Sequence, residues 1–305
     1  MAEIETLRGP GGDFSALTFG RYREFLEGTS GARLAVGARR DGRPIGLALA
    51  TWSPELPQAR LFSLMVDARA RRQSLGTRLL AACAALAAAT GRERLVAYHS
   101  SLLPAADAFA ATVRRAGWSG PDLLELRCLG RGSDFAAAIA TWPGVGDLLK
   151  QGRLGFAPWA SRTEADAAEI ARLSAPPDCP PGLAPPYWAA ELQDGESLVL
   201  TLDGGVAGWM LACLEPEPAG PPTLHVQSAY VRRDLWRSGI LAVAYHEITR
   251  RHARRFGAAG LVRFATAPSY PGMMALVRRR FAPVALRVDE WLVSTKHLAG
   301  GAGRG

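Results

Sequence analysis

A long internal repeat constrains the fold of this chain more than any other feature of its sequence. Residues 41–50 (DGRPIGLALA) recur as residues 203–212 (DGGVAGWMLA), and each copy begins with Asp-Gly. Asp-Gly favours a tight hairpin turn, and the apolar run after it predicts a strand with a glycine inside it. A period of this length is far too long for a solenoid, so the sequence predicts two domains of one kind.

Each copy of the repeat is followed by the same order of elements, namely a strand, an arginine-rich turn and a helix. In the first copy the apolar run 61–66 predicts a buried strand, and residues 66–77 contain the turn. In the second copy the corresponding turn lies within residues 231–241 (VRRDLWRSGIL). The spacing of four side chains after the first turn predicts one face of a helix: Leu75, Leu79, Cys83 and Leu86.

The first turn has the composition of an anion site. The small side chains of Ser74 and Gly76 let a ligand approach the backbone, and the first amides of a helix have no partner within that helix. A phosphate would satisfy those amides. The alternative is a structural helix start in which the glycine only permits close packing.

Chain length agrees with two domains, because 305 residues of which 48% are apolar can fill two cores of ordinary size. Strands alternating with helices predict an α/β fold in each domain. Clusters of Gly and Pro mark the join, so we expect a first domain over residues 1–130, a linker over residues 131–153 and a second domain over residues 154–298.

The first turn resembles the acyl-CoA pyrophosphate loop of the GCN5-related N-acetyltransferases (GNATs), written Gln/Arg-x-x-Gly-x-Gly/Ala after the fourth strand. Arg71 and Gly76 fill the first and last positions, whereas Ser74 stands where the first glycine would be. The element order also matches the family, and the layout is similar to tandem members of the mycothiol synthase type. The resemblance implies two tandem GNAT-like domains, each with a mixed central sheet flanked by helices, and a gap between the fourth and fifth strands for the pantetheine arm.

That resemblance implies an N-acetyltransferase that moves an acetyl or other short acyl group from acyl-CoA, as co-substrate, to a small-molecule amine. The alternative is a non-catalytic CoA-binding or scaffold protein built from degenerate domains. The acceptor, the acyl length and the oligomeric state stay open. The expected CoA-binding residues are Met65, Val66, Arg71, Arg72, Gln73, Ser74, Leu75, Gly76 and Thr77.

The second turn departs further from the family pattern. Trp236 replaces the leading Gln/Arg, and Leu241 replaces the last Gly/Ala. We expect Leu241 to crowd a phosphate and Trp236 to pack as a core aromatic. By this criterion the first copy is the better CoA site.

Histidines are the candidate bases for the proton of the amine. Strand alternation places His225 and Gln227 on one face of the fourth strand of the second copy, and His99 follows the fifth strand of the first copy. The competing interpretations are a hydrogen-bonded core histidine and a solvated loop histidine. The tyrosine that many family members carry in the last helix is absent, since Val113 and Leu276 fall near its position.

A proline-rich passage lies in the second copy. Residues 176–186 contain six prolines and cannot form a regular helix. In the family the equivalent region forms a wall of the acceptor pocket, and the alternative is a surface loop without function.

Several function classes are disfavoured by composition. The net charge of +8 comes almost entirely from Arg, which we interpret as codon bias, so no nucleic-acid partner is expected. The amino terminus has no secretion leader, and no apolar run is long enough to span a membrane. The four cysteines are scattered without a CxxC motif, which predicts no metal site and a reducing cytoplasm.

Overall fold

The computed structural model describes residues 2–27, 32–193, 195–218 and 220–298. Two compact units are present. The first contains the residues up to Leu124 together with those from Glu290 onward, and the second contains Glu125–Asp289. None of the helices within the described ranges combines the length and apolar character needed to cross a bilayer.

Twelve strands and eight α-helices occur in the described residues. The strands are Glu3–Thr6 (β1), Arg33–Arg40 (β2), Arg43–Trp52 (β3), Gln58–Val66 (β4), Arg94–Ser100 (β5), Ser119–Arg131 (β6), Leu154–Pro158 (β7), Leu198–Leu202 (β8), Gly205–Glu215 (β9), Thr223–Val231 (β10), Leu261–Thr266 (β11) and Arg287–His297 (β12). The helices are Glu24–Glu27 (α1), Leu75–Ala89 (α2), Ala106–Arg115 (α3), Gly132–Ala140 (α4), Val145–Lys150 (α5), Glu164–Leu173 (α6), Ile240–Phe256 (α7) and Pro271–Leu276 (α8).

The predicted α/β architecture, a mixed central sheet flanked by helices, is confirmed in both units. The strand order is β1-β2-β3-β4-β5-β12 in the first unit and β6-β11-β10-β9-β8-β7 in the second. Within each sheet the pair β4–β5 or β10–β11 is parallel, and its neighbours are antiparallel. The repeated sequence therefore builds the same arrangement twice.

The two Asp-Gly turns have the predicted hairpin geometry. Asp41 and Gly42 have φ values of 51° and 74°, and Asp203 and Gly204 have φ values of 51° and 82°. Two successive residues with positive φ make a type I′ turn, whose twist suits the flanking strands. Each turn therefore fixes the register of the two strands it joins.

Helix α2 is held by the side chains that the spacing predicted. Leu75, Leu79 and Cys83 are buried in a core with residues of β2, β3 and β5, and Leu86 packs against that core. The opposite face of the same sheet carries a second cluster, centred on Phe14. Side chains along β4 point alternately into these two cores. This packing fixes the position of the strand that precedes the first turn.

The strands that close the two sheets do not follow the order of the sequence. By that order, residues 123–129 would close the first sheet and residues 285–294 the second. Instead, β6 pairs with β11 of the second unit, and β12 pairs with β5 of the first. The strand pattern alone fits either partner, so this exchange is decided by tertiary pairing.

The predicted domain boundaries also differ from the division seen here. The division falls after Leu124 rather than at residue 130, and residues 131–153 form part of the second unit. Phe135 and Ile139 of α4 are fully buried, and Val145 of α5 is buried as well. These side chains need a core, so the stretch expected to be a linker is helical and packed.

Candidate functional site

A gap opens in the first sheet where β4 and β5 diverge. Their parallel pairing runs from Gln58–Arg94 to Leu61–Ala97, and the described residues show no pairing beyond it. The last part of β4, up to Val66, therefore presents a backbone edge without a strand partner on that side. The first arginine-rich turn follows directly.

The backbone of this turn is unusual in its conformation and in its amides. Arg72 and Ser74 have φ values of 61° and 57°, in the left-handed region that residues other than glycine rarely adopt. Among the described residues, the backbone amides from Arg72 to Thr77 donate no hydrogen bond to the protein. Ser74 is the N-cap of α2 but its side chain makes no capping bond. The amides at the helix start are therefore available to a ligand.

Three of the predicted CoA-binding side chains have other partners. The Nε atom of Arg71 donates to the Val66 carbonyl at 3.2 Å. The side-chain oxygen of Gln73 accepts from Arg40 at 2.5 Å. Leu75 is buried in the core beneath the helix. These residues shape the loop, and their contribution to a ligand would come from the main chain.

The last turn position leaves little room for a side chain. A Cβ added to Gly76 would lie 3.1 Å from the Thr112 side chain and 3.9 Å from that of Val66. Met65 packs against the core centred on Phe14. The structure thus brings the predicted loop residues together around the start of α2.

The first unit covers its own bulged strand with aromatic rings. Phe62 lies at the irregular position of β4, with its ring centre 4.7 Å from that of Tyr22 and 4.8 Å from that of Phe25. The neighbouring Ser63 forms a buried hydrogen bond of 3.0 Å with Thr18. This face of the first sheet is therefore filled by apolar contacts.

His99 lies within β5, not after it, and its side chain is only 4% exposed. Its ring centre is 4.9 Å from that of Phe109, and neither ring nitrogen has a hydrogen-bond partner among the described residues. Burial lowers the pKa of His99 below the ordinary 6.5, so the ring is neutral at pH 7.

The second unit has a large cavity at the corresponding gap. Strands β10 and β11 pair only from Leu224–Val262 to Val226–Phe264 within the described range, and then diverge. A cavity of about 1160 Å³ lies there, lined by residues of β10, β11, the second turn and the stretch before α8. Its lining includes His225, Gln227, Trp236, Arg263 and Tyr270.

The second turn has the same backbone shape with different side chains. Arg237 and Gly239 have φ values of 72° and 86°, matching Arg72 and Ser74. Trp236 is 56% exposed rather than a core residue as expected, and its Nε1 donates to the Val231 carbonyl at 2.9 Å. That bond repeats the Arg71 contact of the first turn. Leu241 lines the cavity.

The second turn satisfies more of its own amides. The Ser238 hydroxyl accepts from the Ile240 amide at 3.3 Å, and the Ser238 amide donates to the Leu235 carbonyl. The Ala242 amide donates to the Gly239 carbonyl at 3.0 Å. In the first turn the matching amides, those of Gln73, Leu75 and Thr77, have no such partner in the part of the chain that the structure describes. An anion would therefore meet fewer free donors at the second turn.

His225 is held by charged neighbours inside the second unit. Its Nδ1 lies 3.0 Å from Glu215 and 3.4 Å from a guanidinium nitrogen of Arg263, which also contacts the same Glu215 oxygen. About a quarter of the His225 side chain is exposed. Glu215 therefore fixes the orientation of the ring, with Nδ1–H as donor, and leaves Nε2 as the acceptor.

The charge state of His225 suits proton transfer. Burial lowers the pKa of His225 below the ordinary 6.5, and the Arg263 guanidinium lowers it further, while Glu215 acts in the opposite direction. Burial dominates, so the imidazole is neutral at pH 7 and can accept a proton.

The proline-rich passage forms part of the cavity wall. Pro180, Gly182, Leu183 and Trp188 line the cavity. The Leu183 carbonyl accepts from the Ser228 hydroxyl at 2.7 Å and from the Trp209 indole at 2.9 Å. These bonds fasten the passage to β9 and β10, so it is a shaped wall rather than a free surface loop.

Sequence reasoning missed Glu215 and Arg263. They are 10 and 38 residues from His225 along the chain, and only strand pairing brings them together. The available signal was alternation in β9, which places Cys213 and Glu215 on one face. Tyr270, which precedes α8 and lines the cavity, was missed as well.

Comparison with known proteins agrees with this architecture. Residues 4–112, within the first unit, match the model of the acetyltransferase (GNAT) family. A search among curated proteins gave no match. The family resemblance drawn from the first turn is therefore confirmed for the first unit.

Solved structures show that the likeness extends over the whole chain. A tandem GNAT protein from the clavulanic acid biosynthesis pathway is 17% identical over 100% of both chains, with a TM-score of 0.55. A GCN5-related N-acetyltransferase from Sphaerobacter thermophilus is 17% identical over 91% of this chain and 84% of its own, with a TM-score of 0.52. A GCN5-related glucosamine N-acetyltransferase region of a fungal multi-domain β-N-acetylglucosaminidase is 11% identical over 96% of this chain and 38% of its own, with a TM-score of 0.59. The chain thus has the fold of tandem GNAT proteins.

Proposed function

We propose that this protein transfers an acetyl or other short acyl group from acyl-CoA to a small-molecule amine, and that the second unit performs the chemistry. The observation that carries the proposal is the cavity, which runs from the second turn to His225. The same cavity is thus lined by a helix start that can hold phosphate and by a neutral histidine that can accept a proton.

In this proposal His225 takes the proton of the attacking amine. The Nδ1–H group donates to Glu215, so the proton is accepted at Nε2. The amine nitrogen then forms its bond to the thioester carbonyl carbon, and the carbon–sulfur bond breaks. Within the described part of the chain, the edge of β10 that faces the gap has no strand partner after Val226, so its amides are available to the developing oxyanion. Tyr270 or water returns a proton to the thiolate.

The size and lining of the cavity favour a small acceptor. Its volume of about 1160 Å³ is slightly above the roughly 300–1,000 Å³ of clefts that enclose small ligands, so it can hold a small acceptor beside part of acyl-CoA. The cavity is lined by three carboxylates and four guanidinium groups: Glu125, Glu217, Asp289, Arg127, Arg237, Arg263 and Arg287. Such groups suit a polar acceptor, and the proline-rich wall limits its length.

We assign a binding role to the first unit. The available amides from Arg72 to Thr77 would hold the diphosphate of acyl-CoA, and the main chain at Met65 and Val66 would face the pantetheine. At the position of His225 the first unit has Arg60, whose guanidinium lies 5.2 Å from the Tyr98 ring centre. His99 is enclosed by apolar contacts without a polar partner, so we place the base at His225 instead. Considered by itself, the first unit would fit the alternative of a CoA-binding or scaffold protein without catalytic activity.

A reducing cytoplasm is the compartment we propose. All four cysteines are buried free thiols, and none pairs with another. Disulfides are rare where glutathione keeps thiols reduced.

The experiment that tests the function is an acetyl-CoA-dependent thiol-release assay on the whole chain with a panel of small primary amines. We expect turnover with at least one amine, and we expect His225→Gln to lower kcat/KM by about 10²–10⁴-fold, as loss of a general base does. His246→Gln is the matched control. That histidine lies on α7 of the same unit and contacts the Ala136 carbonyl at 3.0 Å, so its replacement should leave turnover nearly unchanged.

Two results would contradict the proposal. If acetyl-CoA raises the unfolding midpoint but no amine releases thiol, the chain is a CoA-binding protein without turnover. If His225→Gln keeps full kcat/KM across pH, the base lies elsewhere.

A further inference from the structure

Three side chains with metal-binding atoms meet on one face of the sheet of the second unit. Cys213 of β9 and His225 of β10 are register partners across the antiparallel pair, and Glu215 follows Cys213 by two residues. Residues two apart on a strand share a face. A thiol, a carboxylate oxygen and an imidazole nitrogen from these residues lie within 4.8 Å of one another.

Acyl transfer needs only part of this cluster. His225 and Glu215 have roles in the proposed reaction, whereas the Cys213 thiol has none. Cys213 is a free, buried thiol with 7% exposure. A thiolate, an imidazole and a carboxylate form the donor set that proteins offer to Zn²⁺ and related transition metals, and they do not suit Mg²⁺.

The geometry needs only small adjustments to hold such an ion. Zinc bonds of about 2.0–2.3 Å place tetrahedral ligand atoms roughly 3.3–3.8 Å apart. The Glu215 and His225 atoms are already 3.0 Å apart, and the widest separation in the cluster is below 4.8 Å. Side-chain rotation can close that difference, and His225 also lines the cavity.

Arg263 is the group that competes with a cation. Its guanidinium contacts Glu215 and lies 3.4 Å from His225 Nδ1. The side chain is 46% exposed, so it can turn toward solvent at little cost. The other charged groups that act on the cluster are the carboxylates of Glu125 and Glu191. Once Arg263 turns away, the surroundings favour a positive ion.

We propose that Cys213, Glu215 and His225 bind a zinc-class transition-metal ion in place of the Arg263 contact, and that the bound ion stops acyl transfer. The metal replaces the thiol proton, which leaves to solvent, and no electron is transferred. With the metal on one ring nitrogen, His225 keeps its single proton on the other and has no lone pair for the amine. The binding site stands without the proposed function, whereas the inhibition rests on it.

Cobalt(II) gives a direct test of binding, because a cobalt–thiolate bond produces an intense near-ultraviolet charge-transfer band. The metal-stripped full-length protein should bind one Co²⁺ with that band, and Zn²⁺ should displace it, while Mg²⁺ should not. Cys213→Ser should lose the band and at least about tenfold in affinity. Cys179→Ser is the matched control, since Cys179 is a buried thiol of the same unit outside the cluster.

A second variant tests the site while keeping all three metal-binding side chains, so that misfolding from the loss of one of them cannot explain the result. Arg263→Met should bind Co²⁺ more tightly than the unaltered protein, because the competing guanidinium is gone. A band of equal intensity in Cys213→Ser, weaker binding in Arg263→Met, or no cobalt band in the unaltered protein would each overturn the site.

Turnover is measured separately in the same samples. Micromolar Zn²⁺ should inhibit acyl transfer by the unaltered protein, whereas Cys213→Ser should need about tenfold more Zn²⁺ for the same fractional loss of its own metal-free rate. Inhibition that is equal in both proteins would overturn the inhibitory role. A metal-free protein that turns over no amine would instead contradict the proposed function and leave the cobalt result standing.

Discussion

The loops after β4 and β10 have the same backbone shape, but their side chains and the hydrogen bonds of their amides differ. Arg72 and Ser74 in one loop and Arg237 and Gly239 in the other have left-handed φ values at matching positions. The first loop leaves its helix-start amides available, whereas Ser238 caps one amide of the second loop. The gap beside the second loop contains the cavity and His225, while the first unit packs rings over Phe62. One copy thus has more available amides at its helix start, and the other has a cavity bordered by a neutral histidine.

The largest effect on stability should come from removing β12, the strand near the carboxyl end of the chain that completes the sheet of the first unit. A chain that ends at Asp289 lacks the residues of β12 that pair with β5, from Trp291 to His297. We expect the first unit to lose most of its stability, about 5–15 kcal/mol for an ordinary domain, while the second unit keeps its own sheet. Hydrogen exchange of β2–β5 against β8–β11 measures this. A chain that ends at Leu298 is the control, and equal protection of both sheets after truncation would contradict the strand exchange.

A negative charge at the first loop should weaken CoA binding there. Ser74→Asp keeps a residue that tolerates left-handed φ but sets a carboxylate beside the diphosphate site. We expect about a tenfold loss of CoA affinity, or about 1.4 kcal/mol, by titration calorimetry. Ser74→Asn has the same shape without the charge and should keep the affinity. Pantetheine, which lacks the diphosphate, should bind both variants equally, and an equal loss for it would show that the loop does not hold the diphosphate.

The pH profile of turnover should move in opposite directions in two variants of the second unit. His225 must be neutral to act, so kcat/KM falls as the pH drops through its pKa, which lies below 6.5. Arg263→Met removes a charge that lowers the pKa of His225, so the acid limb should shift to higher pH. Glu215→Gln removes a charge that raises this pKa, so the limb should shift to lower pH. Shifts in the same direction, or none, would mean that another group controls the limb.

The smallest effect concerns the stability of the first loop. Ser74 is in a left-handed conformation that costs a residue with a side chain about 1–2 kcal/mol. Replacement by glycine removes this cost, but roughly half of the gain is lost because glycine has more conformational freedom in the unfolded chain. Ser74→Gly should therefore raise the free energy of unfolding by about 0.5–1 kcal/mol in urea. Ser238→Gly should lower it, because the Ser238 hydroxyl donates to the Leu235 carbonyl at 2.6 Å. Destabilisation by Ser74→Gly would show that the loop is not strained.

Local patterns predicted much of the fold. The Asp-Gly turns, the strand that ends at Val66 and the buried face of α2 each depend on residues a few positions apart, and each was found as expected. The exposed position of Trp236 was not predicted, because hydrophobicity alone favours a core. Its indole is anchored by one hydrogen bond to Val231, which no local pattern signals.

The sequence by itself determined that the chain contains two copies of one α/β unit and that an arginine-rich turn precedes a helix in each. The tertiary structure alone decided that β12 completes the first sheet, that a large cavity opens at the gap in the second unit, and that Cys213, Glu215 and Arg263 surround His225. The reason is physical. Turns and amphipathic faces are set by neighbours in sequence, whereas strand partners and cavities depend on distant segments competing for the same edge.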